Sequence, residues 1–289
     1  MKKTVLILAI LASFNANAWE ACGTDAKGNT ANCEYQIIDG TLTIRGIGNN
    51  GNIGSWSKDT GILAPWRGKN VENVVIENSI KDLGSYGFKD IRSQNPITIP
   101  NSVTTIGGNA FFRVKSSEVI IPDSVTDISN SAFNWSSIKK IDIPDSVQVL
   151  GGFRGTNLVD VVVPDSVERI YDIAFSYCRK LQTLTIGENT QLGKILDYLD
   201  EKRPENLNNL KIYCAGDTAK CDANLEAAGY PEFKSIKATT QKINGVTYVY
   251  DASGKLVTTS GRRTEKRIYT IDEANAVAGT TNHVKIRYR

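Results

Sequence analysis

The chain has 289 residues, a formal net charge of +3 and a single histidine, His283. One histidine argues against a catalytic or zinc site built from several imidazoles. No apolar run reaches the roughly 18 to 20 residues that a transmembrane helix needs. The charge is unevenly distributed, because residues 232–289 carry 11 Lys/Arg against 5 Asp/Glu and residues 71–214 carry 15 against 18.

Residues 1–18 have the pattern of a secretory signal peptide. Two lysines precede the apolar run Val5–Ala12, and Ala16-Asn17-Ala18 supplies small residues for cleavage before Trp19. The pattern predicts a soluble, exported mature chain located in the periplasm or outside the cell. A lipid anchor at Cys22 would need a small, aliphatic-led motif before it, whereas Trp19-Glu20-Ala21 stands there.

The five cysteines agree with export to an oxidising compartment. Cys22 and Cys33 bracket one short loop and Cys214 and Cys221 bracket another, so we predict two local disulfides. The spacing and the missing histidine partners argue against a metal site. Cys178 is left over; it falls at a core position of a repeat, which favours a buried, inert thiol over a reactive one.

The strongest signal is internal repetition. An Ile/Val-Pro-Asp/Asn-Ser-Val motif recurs at 99–103, 121–125, 143–147 and 163–167, with prolines 22, 22 and 20 residues apart. Weaker copies without proline begin at Ile76 and Ile186. Degenerate outer copies are expected in a stack of repeats, because a terminal repeat has a neighbour on one side only.

Each repeat predicts one coil with about five core residues. In the copy around Ile141-Asp142-Ile143, apolar and polar residues alternate as in a strand with one buried face, and the proline ends the strand. A turn, two further inward apolar residues and an Ala-Phe pair complete the coil. The Asp of the turn is expected to accept hydrogen bonds from the backbone there. The copy that begins at Ile143 carries Gly151-Gly152-Phe153 in place of Ala-Phe, and we expect a local pinch.

These repeats resemble the BspA-like leucine-rich repeats of bacterial surface proteins, and Thr105–Phe111 matches the family segment best. The opening Gly40–Ile44, followed by Ala64-Pro65-Trp66, resembles the family's disulfide-flanked β segment. The resemblance covers about residues 20–215. It implies a curved, right-handed, mostly β leucine-rich-repeat solenoid used for adhesion or protein binding, and it carries over no catalytic residue. The short coil and the lack of a carboxyl-terminal wall anchor depart from the family.

The predicted organisation has four parts. Residues 1–18 are the signal peptide, 19–70 an N-terminal β cap and 71–230 the solenoid with its disulfide at the carboxyl end. Residues 231–289 form a small, basic α+β appendage. In it we expect a hairpin around Asp251–Gly254, a helix over 271–278 and a strand over 284–289.

Stacked strands place one outward residue of each repeat in a row, which is the predicted binding surface. This strand-face row consists of Val75, Thr98, Ile120, Asp142, Val162 and Thr185, flanked by Asn73, Glu118, Lys140, Asp160 and Thr183. Exposed apolar residues on a concave face favour a protein or glycan partner centred on Ile120, Asp142 and Val162. The alternative is that β-branched residues stand here only as good strand formers.

A second predicted surface is the basic run of the appendage, with Arg262, Arg263, Lys266 and Arg267. It could bind an anionic envelope polymer or glycan, or it could be a solvated face. Nucleic acid is not an expected partner, because the chain is exported and aromatic residues do not interleave with the basic run.

No catalytic constellation emerges, so we predict a protein that is not an enzyme and needs no cofactor. Counting carboxylates such as Asp123, Asp145 and Asp165 does not exclude a glycosidase, although their shared turn position favours a structural role. The predicted function is a secreted or surface-exposed binding protein. The alternative is a non-catalytic scaffolding component of the cell envelope.

Overall fold

The computed structural model describes residues 18–57, 61–196 and 209–261. Within them the chain is mostly β, with one helix, α1, at Thr218–Ala227. In chain order the strands are β1 (Glu20–Ala21), β2 (Cys33–Ile38), β3 (Thr41–Gly46), β4 (Gly51–Asn52), β5 (Asn73–Ile76), β6 (Ile80–Asp82), β7 (Ile97–Thr98), β8 (Thr105–Ile106), β9 (Val119–Ile120), β10 (Asp127–Ile128), β11 (Val149–Leu150), β12 (Asp160–Val162), β13 (Arg169–Ile170), β14 (Thr183–Gly187), β15 (Gln191–Leu192), β16 (Lys211–Ala215), β17 (Ile236–Ile243), β18 (Val246–Asp251) and β19 (Leu256–Gly261).

Each repeat except the one at Ile141–Ile143 contributes two short strands, one before and one after its turn. The strands before the turn pair in parallel from coil to coil, as β3 with β5, β7 with β9, and β12 with β14 and β16. The strands after the turn form a second parallel ladder in the order β15-β13-β11-β10-β8. The first ladder is interrupted at Ile141–Ile143, where no strand is assigned. Residues at the same position of successive sequence repeats therefore pair with each other in the strands.

A column of phenylalanines runs through the core between the two ladders. Phe88, Phe111, Phe133, Phe153 and Phe175 are fully buried. Their rings stack with successive centroids 5.0, 5.2, 5.3 and 5.8 Å apart. Each buried side chain of this kind stabilises the fold by about 1.5 to 3 kcal/mol, and ring pairing adds to this. Because every ring packs on its neighbours in the adjacent coils, one coil cannot bury its core alone.

Serine, rather than aspartate, links the proline turns of successive coils. The hydroxyls of Ser124 and Ser166 donate to the carbonyls of Val103 and Val147 in the preceding coil, at 2.6 and 2.9 Å. In these turns the aspartates are exposed, and in the part of the chain described here Asp123 makes no hydrogen bond. The expectation that the aspartate caps the turn is wrong, because the backbone closes the turn itself, with Val125 N–H donating to Pro122 O at 3.1 Å.

The short coil approaches its neighbour closely, as its two glycines predict. A Cβ atom on Gly152 would lie 2.4 Å from the backbone nitrogen of Ala132, and Gly152 has a φ of +84°. Only glycine fits such an approach in the left-handed region. Phe153 nevertheless keeps its place in the phenylalanine column, so the shortening is absorbed by the loop and leaves the core continuous.

The N-terminal residues are tied together by the predicted Cys22–Cys33 disulfide, with the two Cα atoms 5.5 Å apart. Strands β2 and β3 form an antiparallel hairpin, and β3 pairs in parallel with β5, the first strand of the repeats. Asp25 is buried and accepts the backbone N–H groups of Lys27, Asn29 and Ser55 at 2.8 to 2.9 Å. Burial alone would raise the pKa of Asp25, but these hydrogen bonds outweigh it and lower the pKa.

The carboxyl-terminal strands continue the first ladder. The predicted Cys214–Cys221 disulfide joins β16 to α1, whose N-terminus is capped by the Asp217 carboxylate. Strand β17 pairs in parallel with β16, and β18 and β19 follow as antiparallel strands. The β18–β19 hairpin was predicted. The expected helix over 271–278 and strand over 284–289 lie outside the described residues, and the domain division remains a prediction.

Candidate binding surface

Exposure along the strand-face row falls steadily from the first coil to the last. Val75 is 46% exposed and Thr98 is also exposed, whereas Ile120 and Asp142 are partly buried. At the far end Val162 is 5% exposed and Thr185 is fully buried. The flanking Lys140 and Asp160 are exposed. The repeat position predicts a direction for each side chain, but it does not predict whether solvent reaches it.

The far end of the row is buried because the sheet turns back over it. Strands β12, β14, β16, β17, β18 and β19 form one six-stranded sheet, and β19 contacts β12. Val162 packs in a small second core with Tyr213, Ala238 and Val249. The expectation that Val162 exposes apolar surface is therefore wrong, since residues 236–261, here named the covering hairpin, fold onto it.

Three polar contacts hold the covering hairpin at the middle of the row. The Asp142 carboxylate accepts the backbone N–H of Gly261 at 2.7 Å and lies 3.3 Å from the Ser260 hydroxyl. Lys242 forms an ion pair with Asp145. Asp142 thus stands at the boundary between the open and the covered half of the row, and Lys140 lies 3.4 Å from its carboxylate on the open side.

A cleft of about 230 Å³ opens at this boundary. Its lining combines an apolar floor with charged and hydroxyl groups, and both the repeats and the covering hairpin contribute to it. Among the lining residues are Ile120, Asp142, Val162, Lys242, Thr247 and Ser260. The cleft lies where the first ladder is interrupted, since Asp142 and Ile143 are among its lining residues. Such a mixture of apolar floor and few polar groups is typical of a binding site.

Carboxylates of the proline turns line up beside the row. Although Asp165 is exposed as a residue, partial desolvation of its carboxylate raises its pKa, and the neighbouring charges of Asp145 and Glu188 raise it further. Glu188 is stabilised as a carboxylate instead, because the backbone N–H of Asp217 and the Lys220 ammonium lower its pKa. This edge of the row therefore carries negative charge, and the charges of Asp145 and Glu188 repel that of Asp165.

Cys178 is the one free cysteine, and it is buried as predicted. Burial raises the pKa of its thiol to about 11, even though Thr156 lies 3.2 Å from the sulfur. A thiol that stays protonated at neutral pH is a poor nucleophile.

Within the described residues no group of three or more His, Cys, Asp or Glu side chains could hold a metal ion. The basic run at Arg262, Arg263, Lys266 and Arg267 lies outside the described residues.

Sequence reasoning missed strand β17, and with it the cover over the row. The signal was Asn244-Gly245, which forms a two-residue turn with both residues at positive φ (49° and 78°) between β17 and β18. Asn-Gly between two β-prone runs is a strong hairpin signal. The contact of the covering hairpin with Asp142 is made by Gly261 in β19, 119 positions away in the sequence, and no local pattern indicates it.

The sequence matches the family described as BspA type leucine rich repeat region, in six copies over residues 66–182 and 151–199. The chain carries BspA-type leucine-rich repeats. The predicted resemblance is confirmed, and the leucine-rich-repeat fold is mostly β. No curated protein matches the sequence. Among the described residues no helix is long and apolar enough to cross a membrane.

Three solved structures of bacterial repeat proteins are similar to the chain. A leucine-rich repeat protein from Eubacterium ventriosum ATCC 27560 is 20% identical, with 56% of this chain and 44% of that one covered and a TM-score of 0.48. One from Bacteroides ovatus ATCC 8483 is 22% identical, with 64% and 54% covered and a TM-score of 0.40. A leucine rich cell surface protein from Faecalibacterium prausnitzii A2-165 is 18% identical, with 53% and 56% covered and a TM-score of 0.36. The match thus spans about half the length of these proteins.

Proposed function

We propose that this chain is an exported, non-catalytic binding protein that holds a partner protein on the open half of the strand-face row. The observation that carries the proposal is the change from a 46% exposed Val75 to a fully buried Thr185 along one row. The covering hairpin leaves a bounded patch over Val75, Thr98 and Ile120 that ends in the cleft beside Asp142. Leucine-rich repeats are widely used as binding surfaces, which supports the same function.

Export is supported by the signal-peptide pattern of residues 1–18 and by two disulfides, which persist in oxidising compartments. A surface location is also consistent with the cell-surface repeat protein to which the chain is similar. The mature N-terminus should be Trp19, as N-terminal sequencing of the exported protein would show.

The patch suits an extended segment of a protein. Its apolar members offer contact area to side chains of the partner, and Glu118 and Asp142 offer acceptors at the rim. Burying such apolar groups supplies most of the binding free energy, while the charged rim fixes the orientation of the partner.

The test compares three lysine substitutions on the open patch, Val75→Lys, Thr98→Lys and Ile120→Lys, with a matched set on the second ladder. The control set is Thr104→Lys, Thr126→Lys and Gln148→Lys, which are exposed positions of successive coils. A partner is first captured from envelope and extracellular-matrix extracts with the wild-type protein and then purified. Its affinity is measured for the wild type and both triple variants.

We expect the patch variant to bind at least about a hundredfold more weakly, because three charges would be buried against the partner. The control variant should bind like the wild type, and both should keep the wild-type circular dichroism spectrum. Equal affinity of a folded patch variant would contradict the proposal. Failure of the wild type to retain any partner would favour the scaffolding role instead.

A further inference from the structure

A second surface lies on the outer loops that follow the core phenylalanines. The residue two positions after each core phenylalanine has a φ between 58° and 69°. These residues share one place in the coil and form a column on the outside of the stack: Asp90, Arg113, Trp135, Gly155 and Tyr177. A bulky residue in the left-handed region is uncommon and points to a constraint other than local stability.

Trp135 and Tyr177 meet across the short coil. Gly155 has no side chain between them, and a Cβ atom there would lie 2.4 Å from Cε3 of the indole. The two ring centroids are 5.5 Å apart. Trp135 remains 44% exposed, although its ring is held in place by the glycine and by Tyr177. The result is a fixed, solvent-facing aromatic platform.

Arg154 completes the platform, and no carboxylate of the described residues forms an ion pair with it. Its guanidinium carbon lies 4.8 Å from the Tyr177 ring centroid and 5.5 Å from that of Trp135. Its Nε atom is buried and has no hydrogen-bond partner in the described part of the chain. Elsewhere in the column Asp90 pairs with Arg67 and Arg113, at 2.8 and 3.2 Å. Among the described residues, the Arg154 guanidinium therefore contacts the two rings and no carboxylate.

The surroundings of the platform are basic. The five outer-loop segments 84–92, 107–115, 129–137, 151–157 and 171–180 contain seven Lys/Arg and two Asp. The five turns at the other end of the first strands, 99–104, 121–126, 143–148, 163–168 and 186–191, contain five Asp/Glu and no Lys/Arg. The repeat stack is therefore polarised, and an anion is attracted to the side that carries Trp135.

We propose that the platform of Trp135, Arg154 and Tyr177 binds an acidic polysaccharide. Sugar rings present apolar C–H faces that stack on the exposed aromatic rings, and a sugar carboxylate accepts hydrogen bonds from the Arg154 guanidinium. The surrounding lysines and arginines attract further carboxylates along the chain. This surface is separate from the strand-face row, so the chain holds a glycan and a protein on different sides of its coils.

The experiment measures binding of the full mature chain to polygalacturonate and to its methyl ester, which has the same backbone without the charges. Trp135→Asn and Arg154→Gln are the test variants, and asparagine tolerates the left-handed backbone at position 135. Arg169→Gln is the matched control, because Arg169 also lies over an aromatic ring, Tyr171, but outside the platform. A fourth variant replaces Arg262, Arg263, Lys266 and Arg267 with glutamine.

We expect the wild type to bind polygalacturonate, more weakly as salt is added, and to bind the methyl ester at least about tenfold more weakly. Each test variant should lose at least about tenfold in affinity for polygalacturonate, and the control should lose little. The indole fluorescence of the wild type should change on binding, and this change should be absent in Trp135→Asn.

Equal binding by folded Trp135→Asn and Arg154→Gln would overturn the proposal, as would binding lost only in the variant of the basic run. If Arg154→Gln fails to fold, Trp135→Asn decides the question. Loss of the protein partner, with glycan binding unchanged, would assign the platform to the protein and also contradict the proposal. The triple-lysine variant of the open patch should bind polygalacturonate like the wild type, so the two proposed sites can fail separately.

Discussion

Val75 and Val162 occupy the same position in their repeats and belong to equivalent strands, yet one is 46% and the other 5% exposed. Within the described residues, no strand of the covering hairpin reaches the first, whereas β19 contacts β12, the strand that carries the second. The repeat therefore determines which way a side chain points, and the segment that follows the repeats determines whether it can bind anything. A binding surface in a repeat protein is defined as much by its cover as by its coils.

The phenylalanine column runs through the coils of both halves. Phe133→Ala should lower the free energy of unfolding by about 3 to 5 kcal/mol, because it removes a buried ring that stacks on both neighbours. Urea denaturation measures the loss. Phe112→Ala is the control, since Phe112 is only partly buried, and it should cost at most about 1 kcal/mol. Similar losses for the two variants would mean that the column does not carry the stability.

The same substitution at the two valines compares the stability of the covered half of the row with that of the open half. Val162→Lys should cost about 2 to 4 kcal/mol, because it places a charge in the small core under the covering hairpin. Val75→Lys should change the free energy of unfolding by no more than about 0.5 kcal/mol. Thermal unfolding of both variants measures the difference, and an equal effect would mean that the hairpin does not cover Val162.

Acidification should change the contributions of Asp25 and Asp165 to the free energy of unfolding in opposite directions. The pKa of Asp25 is lowered in the folded chain, so its stabilisation is complete above the ordinary value of 3.8 and is lost as the pH falls through the lowered value. The pKa of Asp165 is raised by desolvation and by its like-charged neighbours, so protonation relieves both penalties at a pH above 3.8. Acidification should therefore stabilise the turns near Asp165 before it destabilises the N-terminal residues.

Asp25→Ala and Asp165→Asn test this order by urea denaturation from about pH 7 to about pH 3. Asp25→Ala should cost about 1 to 3 kcal/mol at neutral pH, because three partly buried backbone hydrogen bonds lose their acceptor, and should flatten the loss in acid. Asp165→Asn should remove the small gain in mild acid. Asp123→Ala is the control, and a response like that of Asp25→Ala would refute the assignment.

The contact of Asp142 with Gly261 should have a smaller and local effect. Asp142→Ala should cost about 1 to 2 kcal/mol, because the carboxylate that accepts the Gly261 N–H and contacts the Ser260 hydroxyl and the Lys140 ammonium is removed. Amide hydrogen exchange should become faster over β18 and β19 while the repeats keep their protection. Asp160→Ala, which loses only the exposed Thr183 hydroxyl contact, should leave the hairpin protected. Unchanged exchange in Asp142→Ala would show that the hairpin is held by its apolar contacts alone.

Most of the coil could be predicted from sequence, because its physics is local and repeated. Alternation around Ile141 and Ile143 indicates a strand with one buried face, the proline indicates its end, and the spacing of Cys22 and Cys33 indicates a disulfide. The role of serine was missed because Asp and Ser are both turn residues, and only the stacking distance between coils decides which side chain reaches the preceding carbonyl.

The covered half of the row could not be predicted in the same way. Asn244-Gly245 indicates a hairpin, but nothing in its neighbourhood indicates that it packs on Val162 and Asp142. The platform at Trp135 could not be predicted for the same reason. The sequence shows a glycine at position 155, but only the packed structure shows that its missing side chain leaves room for the Trp135 ring of the adjacent coil. Contacts between distant segments depend on the assembled shape, which a local pattern does not contain.

The most direct test of the covered and open halves is the accessibility of the row itself. Thr98→Cys and Thr185→Cys place a thiol at equivalent positions of two coils, and Cys178 remains buried in both variants. Labelling with a thiol reagent under native conditions, followed by mass spectrometry, should modify the thiol at position 98 at least about a hundredfold faster than the one at position 185. Equal rates in two folded variants would contradict a row that is open at one end and covered at the other.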